Sequence, residues 1–136
     1  MLVLLTLLSL AMPLISSDEA QIRTTLRDFV KGADLRNTDQ LQRALHPDAR
    51  QYVQMPNGLV AITTEAFLGM IDAEQIGGED RTLHVHDLRI RGNTAFADIT
   101  ITGGAFTFAD YVTLMRVNER WQIMSAVITL VEGDES

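Results

Sequence analysis

Residues 81–131, "RTLHVHDLRIRGNTAFADITITGGAFTFADYVTLMRVNERWQIMSAVITLV", decide the fold. Apolar residues alternate through four segments, 81–91, 94–102, 105–117 and 120–131, with breaks at Gly92-Asn93, Gly103-Gly104 and Asn118-Glu119. Each break is a dipeptide suited to a two-residue hairpin, Asn118-Glu119 least of the three because glutamate disfavours positive φ. The stretch therefore predicts a meander of four antiparallel strands. Two-residue loops fix the register, and the register fixes the face each side chain takes.

In that register His84 opposes Ile101, His86 opposes Ile99, Leu88 opposes Ala97 and Ile90 opposes Ala95. Across the next turn Ile101 meets Phe106, Ile99 meets Phe108, Ala97 meets Asp110 and Ala95 meets Val112; the last strand adds Ile123, Ser125, Val127 and Thr129. Both histidines and Asp110 fall on the apolar face, where small Ala97 leaves room for a pocket between Leu88 and Asp110. A carboxylate among Phe108, Val112, Leu88 and Val127 needs a partner, a proton or a solvated cavity, because a buried unpaired charge is costly. On the reverse face Asp87 opposes Asp98 near Arg89. That face turns apolar on the last two strands, with Tyr111, Thr113, Met115 and Val117 beside Met124, Ala126, Ile128 and Leu130. With no helix left to cover it, a homodimer through the outer face of the last two strands is expected.

Upstream lie three helical patterns. "SSDEAQIRTTLRDFVKGADL" offers Ser16 or Ser17 as N-cap, then apolar residues at Ile22, Leu26, Phe29, Val30 and Ala33, the spacing of one buried helix face. "NTDQLQRAL" starts with a capping box of Asn37 and Gln40 and ends at His46-Pro47. "ARQYVQM" and "LVAIT" flank Pro56-Asn57-Gly58 as a hairpin, and "TTEAFLGMI" is a third helix capped by Thr63 or Thr64.

The chain has 136 residues, 46% of them hydrophobic, enough for one domain with a core. Residues 1–17, "MLVLLTLLSLAMPLISS", hold no charged side chain and fit a secretory signal, too short for a comfortable membrane span. Export to the periplasm or outside the cell is expected, leaving 18–136 as a single domain with no stable membrane span once the signal is cleaved. The absence of cysteine excludes disulfides and thiolate chemistry. A net charge of −7, with no basic cluster denser than "RIR" at 89–91, argues against nucleic acid as a partner.

Two stretches carry a family likeness: "FVKGADLRNTDQLQRALHPDA", with Gly32 and the His46-Pro47-Asp48-Ala49 run, and "FADYVTLMRVNERWQI", an F-x-D-Y-x-x-L pattern followed by W-x-I. In their order and spacing the chain resembles the nuclear transport factor 2-like superfamily, in its putative lumazine-binding or SnoaL-like group. The resemblance implies an α+β fold: a cone of three N-terminal helices packed on a strongly curved antiparallel sheet, the cystatin-like α+β barrel. It also implies a conical pocket and, commonly, a dimer. Its members include polyketide cyclases, ketosteroid isomerases, dehydratases and non-catalytic binding domains, so function must be argued from the pocket.

For a metal, His84 and His86 lack a third ligand, since Asp110 lies about 10 Å across and about 7 Å along a flat sheet. No metal site is expected. As a binding module, the pocket would take a small hydrophobic or aromatic molecule oriented by Asp110 and His86 and walled by Tyr52, His84, Leu88, Ala97, Ile99 and Phe108. As an enzyme, a cofactor-independent isomerase, cyclase or dehydratase, it would use Asp110 as general base with His86 or Tyr52 polarising a carbonyl. A structural alternative has Asp110 cap a helix end or pair with Arg23 or Arg27. No glycine-rich phosphate loop or other cofactor motif is present, which favours binding. His46 and Trp121 read as framework.

Overall fold

The chain enters its first helix at Ser17, whose hydroxyl accepts the Ala20 backbone N–H at 3.1 Å. The computed structural model describes residues 17–131, so the expected export signal lies outside the described residues except for Ser17. Helix α1 (Asp18–Asp34) buries Ile22, Leu26, Phe29, Val30 and Ala33, the stripe its spacing predicts. Asn37 caps α2 (Thr38–Ala44) by accepting the Gln40 N–H. The Gln40 side chain donates to Asp28 instead of returning to Asn37, so the capping box is only half made. Helix α2 stops before His46-Pro47, and its last carbonyls accept from the Gln122 amide, whose Nε2 reaches the oxygens of Gln42, Arg43 and Leu45. Leu45 already opens strand β1 (Leu45–Met55), which turns at Pro56-Asn57 into β2 (Gly58–Thr63). Thr63 then caps α3 (Thr64–Asp72).

The four-strand meander follows as β3 (Thr82–Arg91), β4 (Thr94–Thr102), β5 (Thr107–Val117) and β6 (Arg120–Val131). All six strands form one sheet in the order β2-β1-β6-β5-β4-β3, antiparallel except where β1 runs parallel to β6. The helices pack on the face that carries Ile99, Ile101, Val112, Leu114 and Ile123, each at most 3% exposed. The fold is the expected α+β arrangement. No helix among the described residues is long and apolar enough to cross a membrane.

Three features of the meander depart from a sheet with perfect two-residue turns. The outer two turns are as short as expected, with Arg91 opposite Thr94 and Val117 opposite Arg120. Asn118 and Glu119 both take positive φ, 53° and 64°, so the glutamate accepts a left-handed conformation to close the hairpin. The middle turn is longer: β5 begins at Thr107, leaving Gly103–Phe106 as a four-residue loop. Gly103 at φ 100° opens the turn, and the Glu79 carboxylate accepts the Ala105 N–H at 3.2 Å across it. Ile101 consequently opposes Phe108, Ile99 opposes Asp110 and Ala97 opposes Val112. The offset is two residues, an even number, so Asp110 keeps its inward face.

The other two departures are odd and therefore reverse faces. A bulge at His86 separates the pairs Val85–Ile99 and Asp87–Asp98, and one extra residue turns the strand over. Leu83 and Val85 point into the core, while His84 and His86 point out. There the Nε2 atoms lie 3.2 Å from the Thr102 hydroxyl and 2.6 Å from the Thr100 hydroxyl. The reversal exchanges two polar rings for two aliphatic side chains on the buried face, the physically cheaper arrangement. A second bulge at Met124 separates Leu114–Ile123 from Thr113–Ser125. Ala126, Ile128 and Leu130 thus face inward, and Ser125, Val127 and Thr129 face outward, the reverse of the expected assignment.

Candidate functional site

Strands β1, β5 and β6 form the floor of a cavity of about 490 Å3 roofed by α1 and α3 and closed at one end by the segment 75–81. Its wall is mostly apolar: Phe29, Val53, Ile62, Phe67, Met70, Ile101, Phe108, Ile128 and Leu130. Of the five polar side chains on its lining, Gln51, Gln75, Glu79, Arg81 and Asp110, three are the most deeply buried.

The first is Asp110. It stands on β5 between Ile99 of β4 and Ile128 of β6 and is 2% exposed. Its Oδ1 has no hydrogen-bond partner among the described residues. Neither Arg23 nor Arg27 reaches it: Arg23 pairs with Glu19 at 3.1 Å, so the structural salt bridge considered for Asp110 is not formed. Burial among aliphatic side chains pushes its carboxyl from the ordinary 3.8 up to about 7, against a smaller opposing pull from Arg81.

The second is Gln51, absent from the expected site. It is 4% exposed, and its Nε2, a donor, is also without a partner. Gln51 lies beside Ala126 and Tyr52 beside Val127 in the parallel β1–β6 pair. Because Ala126 faces inward and Val127 outward, Gln51 enters the cavity and Tyr52 leaves it. The signal was present in "ARQYVQM": Ala49, Gln51, Val53 and Met55 form one alternating face, apolar but for the glutamine. The third is Arg81, fixed to Asp34 through Nε at 2.7 Å and through its own backbone N–H at 2.9 Å. Its guanidinium sits 5.8 Å from the centre of the Phe108 ring.

Of the residues expected to build the site, the structure brings only Asp110 and Phe108 into the cavity. His84 and His86 are excluded by the bulge that turns them outward, and Tyr52 by the β1–β6 pairing. Ala97 and Ile99, both 0% exposed, are packed into the core and do not line the cavity. Leu88 packs against the same core away from it. The pocket is therefore not above Ala97, where core packing fills the space, but two residues further along the sheet, over Phe108 and Asp110. The paired imidazoles, 6.5 Å apart, form no cluster with a third metal-ligating side chain among the described residues. His46, expected as framework, accepts the Asp48 N–H at Nδ1, while its carbonyl accepts from the Thr64 hydroxyl at 2.7 Å. Trp121, likewise framework, is 1% exposed and donates from Nε1 to Asp18 at 3.0 Å.

Helices over one face of a curved sheet, with a cavity between, are the arrangement of the nuclear transport factor 2-like fold. The chain belongs to the family described as "Putative lumazine-binding", whose model matches residues 17–128. Among solved structures it is similar to a protein of unknown function with this fold from Shewanella baltica, at 17% identity, 88% of this chain, 95% of that one and a TM-score of 0.75. A similar protein of unknown function from Silicibacter pomeroyi matches at 17% identity over 82% of this chain and 94% of that one, TM-score 0.74. A third, with a cystatin-like fold, comes from Novosphingobium aromaticivorans: 17% identity, 86% and 84% coverage, TM-score 0.65. No curated protein matches the chain. At these identities the likeness establishes the fold.

Proposed function

We propose that the domain binds a small, flat, largely apolar molecule in the cavity between α1, α3 and the sheet, holding it by Asp110 and Gln51. The observation that carries this reading is that the two buried side-chain atoms lacking partners among the described residues are one acceptor and one donor, Asp110 Oδ1 and Gln51 Nε2, and both line the same cavity. Unsatisfied buried polar groups cost about 1–3 kcal/mol each, a cost a bound molecule with the complementary groups removes. Gln51 and Asp110 lie on strands separated by β6 and offset by one alternation, so their Cα atoms are about 10 Å apart across the sheet and about 7 Å along it. Side chains reaching inward narrow that span to the width of one or two fused rings. A ring system presenting an N–H to Asp110 and a carbonyl to Gln51 fits, and lumazine, named in the family description, is of that kind. Calorimetric titration of lumazine tests the reading. Saturable binding that falls about tenfold or more in Asp110→Leu and Gln51→Leu is expected; affinity unchanged in both variants would contradict it.

The proton affinity of Asp110 favours a second reading, proton transfer next to a carbonyl. His86 and Tyr52 take no part, since both face outward. Asp110 would act as the base, with Gln51 Nε2 donating to the carbonyl oxygen. Exchange of an acidic C–H for deuterium on a cyclic ketone, abolished in Asp110→Asn, would support catalysis; retained exchange in the variant would oppose it.

The proposed quaternary state is a homodimer through the outer face of β5 and β6. Its support is the exposure there of Tyr111 (58%) and Val127 (54%), together with Met115 and Val131. The Met124 bulge leaves this face less apolar than the sequence implies, because Ala126, Ile128 and Leu130 turn inward. Export through residues 1–17 remains part of the proposal and is tested by N-terminal sequencing of the mature protein.

A further inference from the structure

A second constellation lies on the other side of α1. Arg23, Arg27 and Lys31 recur every four residues, so they stand in one row along the helix. The row looks toward β3 across a cleft of about 350 Å3, walled by Val30, Leu83 and Val85 and ended by Arg81. Four of the chain's 11 basic residues thus border one cleft in a protein of net charge −7. The acids nearby do not use up their donors. Glu19 takes Arg23 Nε, Asp34 takes Arg81, and Lys31 lies 3.9 Å from Asp34 and 3.8 Å from Asp80. Arg27 has no ion pair or hydrogen bond among the described residues, and the terminal nitrogens of Arg23 are likewise uncommitted there.

We propose that this cleft is a second binding site, for a small molecule carrying an oxyanion, either phosphate or carboxylate. The Arg23 and Arg27 guanidiniums supply planar forks that match two anionic oxygens, and Lys31 supplies a compact positive charge. Leu83 and Val85, both half-buried, take the apolar part of the same molecule. Arg81 borders both this cleft and the main cavity, but Asp34 holds it in place, so it contributes its field rather than a moving contact. A nucleic-acid backbone does not suit the row, which spans about 12 Å of helix on a protein whose net charge repels a polyanion.

Amide NMR spectra of the full domain, titrated with sodium phosphate, sodium acetate or sodium chloride at equal ionic strength, test the proposal. Saturable shifts over residues 23–31 of α1 and 82–85 of β3, with phosphate or with acetate but not with chloride, are expected, and the responding salt assigns the oxyanion. Arg27→Gln should weaken that response about fivefold or more, and Arg23→Gln with Arg27→Gln should abolish it. Arg27 is exposed and Arg23 partly so, so both variants should keep the wild-type thermal midpoint. Shifts equal in all three salts, or a response unchanged in the double variant, would overturn the site.

Discussion

Asp110 owes its proton affinity to the three strands around it. Ile99 and Ile128 flank it, and Phe108 and Val112 share its face, while Arg81, the cation whose pull opposes the shift, is committed to Asp34. Its carboxyl is pushed from 3.8 to about 7, so the folded chain retains a proton across that window which the unfolded chain has released. Stability from this group is therefore greatest below pH 3.8, falls as pH rises to about 7, and is least above it. With about 1.4 kcal/mol per pH unit, the cost at pH 8 is on the order of 4 kcal/mol. Asp110→Asn should raise the thermal midpoint at pH 8 and change it little at pH 4; a variant less stable at pH 8 would place Asp110 in the framework. Asp110 itself was legible in the sequence, as an acid on an alternating apolar face. Its partner in the cavity was legible only in part: the alternation of Ala49, Gln51, Val53 and Met55 puts the glutamine on an apolar face, but that this face meets Asp110 depends on the parallel β1–β6 pairing, which joins segments about 75 residues apart.

At the scale of elements, the helices and strands were readable because capping residues and apolar periodicity are local. The faces within the meander were readable only as far as the first bulge from each turn. Counting back from Gly92-Asn93 assigns Ile90, Leu88 and Asp87 correctly, and the extra residue at His86 then reverses everything beyond it. The longer Gly103–Phe106 loop did less harm, since its even offset preserved the side of every residue. With both imidazoles on exposed outer positions, the double change His84→Ala and His86→Ala should alter stability by less than about 0.5 kcal/mol each and leave cavity binding intact. A loss of ligand affinity would return the histidines to the site. Helix packing makes the opposite kind of demand at Gly32, where an added Cβ would sit 2.8 Å from Leu41 Cγ. Gly32→Ala should therefore part α1 from α2 and cost about 1–3 kcal/mol in chemical denaturation. A neutral or stabilised variant would show that Leu41 can move aside.

For the molecule as a whole, one sheet face is spent on the core and the cavity, and the other is left with Tyr111, Met115, Val127 and Val131 toward solvent. Phe96 stacks obliquely on Tyr111 at 5.5 Å, extending that patch onto β4. Sedimentation velocity should find a dimer that Tyr111→Glu with Val127→Glu converts to a folded monomer; a wild-type monomer across the accessible concentration range would remove the proposed assembly. The four-residue spacing of Arg23, Arg27 and Lys31 is visible in the sequence, but their meeting with Arg81, about 50 residues further on and just before β3, is a property of the whole molecule. Ligand binding in the cavity is tested most directly by an NMR fragment screen of wild type and Asp110→Leu. Flat fragments with a neighbouring donor and acceptor should shift the amides of Gln51, Phe108, Asp110 and Ile128, and bind about tenfold or more weakly to the variant. Fragments that leave those amides unmoved, or bind both proteins alike, would contradict binding there.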